Sequence, residues 1–278
     1  MLTLYTARNS ICTQKVLIAL AEKKLDYAVK VIDLFANEQY DPAYLKLNPK
    51  GVVPTLIHDG KPVIESTLIC EFLEETFPRP HLLGSGAHGR AEARLWSKAV
   101  DEGIFEATRE ISFSAMFRER MRAMTPEERA IRFKNVGDPE RSARFLSTYE
   151  HGVDSPYVFY GIAAFEKLFK AMDDALADGR PWLGGERFTL GDVNLIPFVA
   201  RLAYLDLLDI WIDERPFVQH WWARAMARPS FMSAIAERLT PEDEQSMQTH
   251  GGKLRDAIAA KRAEYVAGQG AGKVLAAE

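Results

Sequence analysis

The stretch Gly51-Val52-Val53-Pro54-Thr55 constrains this chain more than any other. Two β-branched residues before a proline are held extended, because the proline ring clashes with the α conformation of its predecessor. An X-Pro bond at such a place can be cis, which turns the N–H and C=O of Val53 toward an open cleft. Main-chain groups presented that way pair with an extended, peptide-like ligand as another strand would. Glu65-Ser66 follows where a strand pattern gives way to a helix pattern. Free N–H groups and a hydroxyl at such a junction hold a carboxylate. The layout suits a small, anionic, peptide-like thiol better than a nucleotide or a metal.

Around this stretch the hydrophobic pattern predicts strands over 2–6, 27–32, 55–58 and 62–64, with helices over 11–24 and 66–77. Val16, Ile18, Ala19 and Leu20 form the apolar stripe of the first helix, and Asp59-Gly60 is a hairpin turn. The order is βαβ, then an antiparallel pair, then a helix: an α/β thioredoxin-like domain of about eighty residues. Phe77-Pro78-Arg79-Pro80-His81 breaks the helix, and the remainder reads as all-α. There the pattern predicts one long helix over 90–124, a start at Thr125-Pro126-Glu127-Glu128, and helices over 161–177, 192–207 and 217–227. Phe188-Thr189-Leu190-Gly191-Asp192-Val193 is a helix-start signal in which Thr189 and Asp192 cap reciprocally. The tail from Lys253 is a charged helix ending in a glycine-rich run, 268–272, expected to be mobile. The expected domains are 1–79, 88–240 and an extension, 241–278.

Composition narrows the function classes. A net charge of −4 over 278 residues carries no basic footprint for nucleic acid. Neither a signal peptide nor a membrane-length apolar run is evident, and two cysteines fit a reducing, cytoplasmic setting without a disulfide framework. Six scattered histidines lack ligand spacing, so no metal site is expected.

Taken together, Asn-Pro-Lys-Gly-Val-Val-Pro at 48–54, Glu65-Ser66 and Thr189-x-x-Asp192 resemble a soluble glutathione transferase over residues 1 to 235. Within that family the chain is most similar to the bacterial β-aryl ether-cleaving enzymes, the β-etherases of lignin breakdown. That closer likeness lies in Asn9-Ser10, His58-Asp59-Gly60-Lys61, the run 65–74, Arg90-Ala91-Glu92, Trp96-Ser97-Lys98 and Val100-Asp101-Glu102. Ser10-Ile11-Cys12 also resembles the Ser-x-Cys of zeta-type transferases and glutathione-dependent reductive dehalogenases.

The resemblance implies glutathione as co-substrate and a dimer, of identical or different subunits. Glutathione attacks as a thiolate, so its pKa must be lowered. Ser10, at a strand-to-helix turn, places a hydroxyl and the first helical N–H groups where a sulfur anion could sit, with Asn9 to orient it. The bland alternative is that Ser10 only caps the helix. Cys12 is either a thiolate activated by the same dipole, able to resolve a glutathionyl adduct, or a small filler. Cys70 reads as core. Val53, through its peptide with Pro54, pairs with the ligand backbone; Ser66 holds the γ-glutamyl carboxylate and Glu65 its amine; Lys50 reaches for the glycine carboxylate.

For the electrophile, Phe113, Phe117, Tyr149, Tyr157, Phe159 and Tyr160 are candidates for an aromatic wall, with 118–160 as a lid. Each of these could equally be helix core. Trp96, Trp221 and Trp222 read as packing residues, and Arg118, Arg120 and Arg122 as a solvated face. The activities to weigh are β-aryl ether cleavage in lignin-derived aromatic ketones, a reductive dehalogenase or isomerase, and a weakly catalytic glutathione-binding subunit.

Overall fold

The computed structural model describes residues 1–134 and 138–275. Strands β1 (Leu2–Thr6), β2 (Tyr27–Val31), β3 (Thr55–His58) and β4 (Lys61–Ile64) form one mixed sheet in the order β2-β1-β3-β4. β1 and β2 are parallel, joined by a crossover through helix α1 (Ile11–Glu22). β3 runs antiparallel to both β1 and β4. Asp59 and Gly60 both have positive φ, 50° and 79°, as a two-residue hairpin matched to the strand twist requires. Pro62 costs the sheet nothing because β4 is an edge strand.

Eight consecutive residues of α1, Thr13 to Leu20, are buried. It packs against α3 (Ser66–Thr76) on one side and α13 (Pro229–Ala234) on another. The expected single stripe is therefore a helix covered all round. A short helix, α2 (Pro42–Leu45), stands between β2 and β3 where the hydrophobic pattern indicated none. Its signal is Asp41-Pro42: the carboxylate accepts from the Ala43 N–H at 2.7 Å and the proline sits in the first turn.

The remaining helices are α4 (Gly86–Ala99), α5 (Phe105–Ser112), α6 (Arg118–Arg122), α7 (Pro126–Lys134), α8 (Pro139–His151), α9 (Pro156–Leu176), α10 (Leu190–Tyr204), α11 (Asp209–Ile212), α12 (Pro216–Met226), α14 (Pro241–Gly252) and α15 (Arg255–Leu275). The long helix expected over 90–124 is interrupted twice: by a kink within Val100–Ile104, where Gly103 leaves the helical conformation (φ 175°, ψ −33°), and by a π-helical turn at Phe113–Phe117. The second adds a residue to a turn, which shifts the apolar stripe without breaking the apparent period. The glycine-rich run 268–272 lies inside α15. Among the described residues no helix is long and apolar enough to cross a membrane.

The described chain groups into two compact units. One comprises Met1–Asp101, Ala175–Pro197 and Phe217–Thr240; the other comprises Glu102–Asp174, Phe198–Pro216 and the chain from Pro241 onward. In the first, the Asp192 carboxylate is fully buried and accepts four hydrogen bonds. Oδ1 receives the Leu183 N–H and the Trp221 indole N–H, each at 2.9 Å. Oδ2 receives the Thr189 N–H at 2.9 Å and its hydroxyl at 3.1 Å. Burial holds this carboxyl above its ordinary range, and the four donors offset part of that cost. Trp221 is thus a hydrogen-bonding member of the capping network as well as a packing residue.

Candidate functional site

The sheet register collects the key segments at one edge. Tyr5 of β1 and Ile64 of β4 both lie opposite Thr55, the first residue of β3. The turn leaving β1 (Ala7 to Ser10), the segment entering β3 (Val53-Pro54) and the junction leaving β4 (Glu65-Ser66) therefore emerge at the same end of three neighbouring strands. Ala7 and Val53 share one small core cluster with Tyr44, which fixes this proximity by packing.

Val53-Pro54 is a cis peptide. The loop before it is held by side chains. Asn48 Nδ2 donates to the Val52 carbonyl at 2.9 Å and to Thr55 Oγ1 at 3.1 Å. The Tyr44 hydroxyl donates to the same carbonyl at 2.7 Å and lies 3.0 Å from Thr55 Oγ1. Tyr44, Asn48 and Thr55 are all buried, and burial pushes the Tyr44 phenol up, keeping it a donor. Gly51 turns the chain at φ +57°, where a Cβ would come within 2.9 Å of the Tyr40 ring. With the Val52 carbonyl satisfied, the Val53 main chain is set apart: among the described residues none of the turn and loop backbone hydrogen bonds uses it. Neither Asn48, the first residue of the 48–54 motif, nor Tyr44 carries a sequence signal for this role. They build the loop from beneath, a tertiary relationship with no local signature beyond the Asp41-Pro42 helix start.

Ser10 is the N-cap of α1. Its Oγ accepts from the Thr13 N–H at 3.3 Å, which leaves the hydroxyl hydrogen able to donate to an anion. Capping and thiolate stabilisation are therefore compatible in one side chain. Asn9, just before it, has φ 59°, a left-handed conformation that Asn tolerates better than most residues.

Glu65 has φ 69° and gives α3 no side-chain cap. A non-glycine residue in that region costs on the order of 1–3 kcal/mol and persists where the surrounding structure over-determines it. Its Oε1 meets Lys50 Nζ at 2.5 Å; both groups are well exposed. The structure thus brings together two side chains assigned to opposite ends of the ligand. An exposed pair of this kind is worth little and exchanges readily for ligand contacts.

Ser66, 9% exposed, lies beside the thiol of half-buried Cys12. Burial pushes that thiol up, and Lys15 and Ser66 only partly offset it. Cys70 is fully buried, with its thiol pushed up to about 12. Neither cysteine has the lowered pKa of a resting thiolate.

The aromatic residues of the second unit divide into separate groups. Phe113 packs on Phe145 with centroids 4.3 Å apart, Phe145 on Phe133, and Phe133 on Tyr149. Tyr157 contacts Tyr160, and Phe159 contacts Tyr265 of α15. Phe133, Phe145 and Tyr265 join these groups without having been singled out. Arg118, expected on a solvated face, instead donates to the Tyr149 and Glu150 carbonyls at 2.8 and 2.7 Å and closes the end of α8.

This edge, an extended main chain beside a cis-proline flanked by two strand-to-helix junctions, fits a glutathione-binding domain. Family models describe the same organisation: the glutathione S-transferase N-terminal domain matches residues 9–76 and the C-terminal domain residues 118–224. The chain belongs to the glutathione S-transferase superfamily, and glutathione is its co-substrate. It is similar to Protein LigF of Sphingobium sp., 36% identical over 52% of this chain and 57% of that protein. The crystal structure of β-etherase LigF from Sphingobium sp. strain SYK-6 superposes with TM-score 0.75 at 26% identity, covering 85% of this chain and 99% of that one. Maleylacetoacetate isomerase of Pseudomonas aeruginosa is 30% identical over 83% of this chain and 94% of its own length. A tetrachloro-p-hydroquinone reductive dehalogenase of Sphingobium chlorophenolicum is 28% identical over 84% of this chain and 94% of its own.

Proposed function

We propose that the chain cleaves β-aryl ether bonds in lignin-derived aromatic ketones. Ser10 and the N-terminus of α1 hold glutathione as the thiolate. The sulfur attacks the carbon next to the carbonyl, the C–S bond forms as the C–O bond breaks, and the phenolate leaves with the bonding electrons and takes up a proton. The products are a glutathione thioether and a phenol, with no net oxidation. Val53 pairs with the ligand main chain, Ser66 and Glu65 receive the γ-glutamyl end, and Lys50 exchanges Glu65 for the glycine carboxylate. The proposed domain limits are 1–79 for glutathione and 88–240 for the electrophile, in a dimer.

The observation that carries this reading is the likeness to β-etherase LigF along 99% of that chain. The second reading, a dehalogenase or isomerase, draws on Ser10-Ile11-Cys12 and on the two relatives with those names. The raised Cys12 thiol supports the ether reading over a cycle in which Cys12 attacks a glutathionyl adduct. A third reading is a glutathione-binding subunit of low activity. Turnover of a fluorogenic β-aryl ether ketone, with and without glutathione, separates them. Glutathione-dependent phenol release is expected; bound glutathione without release would move the weight to the other two readings.

A further inference from the structure

Two lysines of the first unit are buried near α1, and their surroundings differ. Lys23 spends its three N–H groups on Glu74 Oε2 at 2.6 Å, the Phe77 carbonyl at 2.7 Å and the Pro80 carbonyl at 3.0 Å. That is a fully compensated buried cation. Lys15, 1% exposed, has one hydrogen bond among the described residues, from Nζ to Thr67 Oγ1 at 2.6 Å. The Thr67 hydroxyl donates onward to Asp101 Oδ1 at 2.9 Å. Asp101 itself stands 4.0 Å from the ammonium and is 56% exposed, so its charge is spent largely on solvent. Lys15 is therefore buried with one close partner and a 4.0 Å ion pair to a half-exposed carboxylate, where Lys23 has three close partners.

Its location adds to this. Thr67 is the second residue of α3, at the positive end of that helix, where a cation is disfavoured. Glu65 supplies no side-chain cap there, and Ser66 is immediately adjacent. Helix terminus and ammonium together place positive charge beside Ser66, with the half-exposed Asp101 as the ion-pairing carboxylate. An anion held at Ser66 gains from both.

We propose that Lys15 is a positioning residue for glutathione, holding the γ-glutamyl α-carboxylate at Ser66 and the α3 N-terminus through Thr67 and through its own charge. This rests on the glutathione reading of the strand edge and extends it to a residue that lies beneath the ligand.

The test is isothermal titration of the full chain with two probes: glutathione, and its γ-aminobutyryl analogue, which lacks only the α-carboxylate. Lys15→Met should weaken glutathione by about tenfold, the scale of a partly buried charge at a helix end. Affinity for the analogue should stay unchanged. Lys15→Gln, which keeps a donor to Thr67 without the charge, should show the same selective loss if Lys15→Met does not fold. Lys15→Arg should restore glutathione binding. Equal weakening of both probes, or unchanged glutathione affinity in the Met or Gln variant, would overturn the positioning role. Wild-type protein that binds neither probe would instead overturn the glutathione reading, and this inference with it.

Discussion

Replacing Asp192 tests the packing logic of the first unit most severely. The carboxylate is fully buried and answers three N–H groups, from Leu183, Thr189 and Trp221, together with the Thr189 hydroxyl. Asp192→Ala removes every acceptor at once. The hydroxyl can rotate to another partner, but the three N–H groups are fixed by α10, its preceding loop and α12. Each buried donor left unpaired costs about 1–3 kcal/mol, and relaxation recovers part of the sum, so the expected loss is about 4 kcal/mol. For a chain of this size about 2–4 °C is lost per kcal/mol, which places the fall in Tm at about 8–16 °C. Asp192→Asn keeps one oxygen for Leu183 and Trp221 and sets an NH2 group against the Thr189 N–H. One donor is stranded, so the loss should be about half as large, near 2 kcal/mol. Thermal unfolding followed by circular dichroism, with urea titration as a second probe, reads both values. A shift below about 2 °C for Asp192→Ala would refute the reasoning, since it would mean the donors find other partners at no cost.

Further outcomes concern the glutathione edge. Ser66→Ala should raise the glutathione Kd by about 10–100-fold, the worth of a hydroxyl bonded to a carboxylate, and an unchanged Kd in titration calorimetry would remove Ser66 from the site. Cys12 should stay a thiol near neutral pH because burial holds it above its ordinary value. Its alkylation by iodoacetamide should therefore be slower than that of free cysteine and should accelerate only at alkaline pH; rapid labelling at pH 7 would reverse this assignment. Cys12→Ala should leave ether cleavage nearly intact, and a large loss in the phenol-release assay would promote Cys12 to the catalytic set.

The features legible in the chain were local. Asp59-Gly60 announces its hairpin because both positions need positive φ, and Thr189-x-x-Asp192 announces its helix start because cap and carboxylate are three residues apart. The shared strand edge was readable for the same reason: Val53-Pro54 and Glu65-Ser66 each carry their geometry within a few residues. The distant relationships were not readable. Nothing near Tyr44 says that its hydroxyl will close on Val52. Lys15 reads as an ordinary polar position until α3 and α13 cover α1. The π-helical turn at Phe113–Phe117 leaves Ile111 and Ala115 at helical spacing while re-aiming the side chains of α6, so a continuous period concealed an interruption. Aromatic side chains were visible as a composition, but which rings would meet, such as Phe113 with Phe145, depends on how α5 and α8 pack.

The central claim is that Ser10, at the start of α1, lowers the pKa of glutathione bound along Val53. The most direct measurement is a pH titration of the thiolate ultraviolet absorbance of the protein–glutathione complex, for wild type and Ser10→Ala. The account predicts a bound thiol about two pH units below the free value of about 8.5 in wild type, equivalent to about 2.7 kcal/mol, and most of that shift lost in the variant. The same pKa in both proteins, or a wild-type value equal to that of free glutathione, would contradict it.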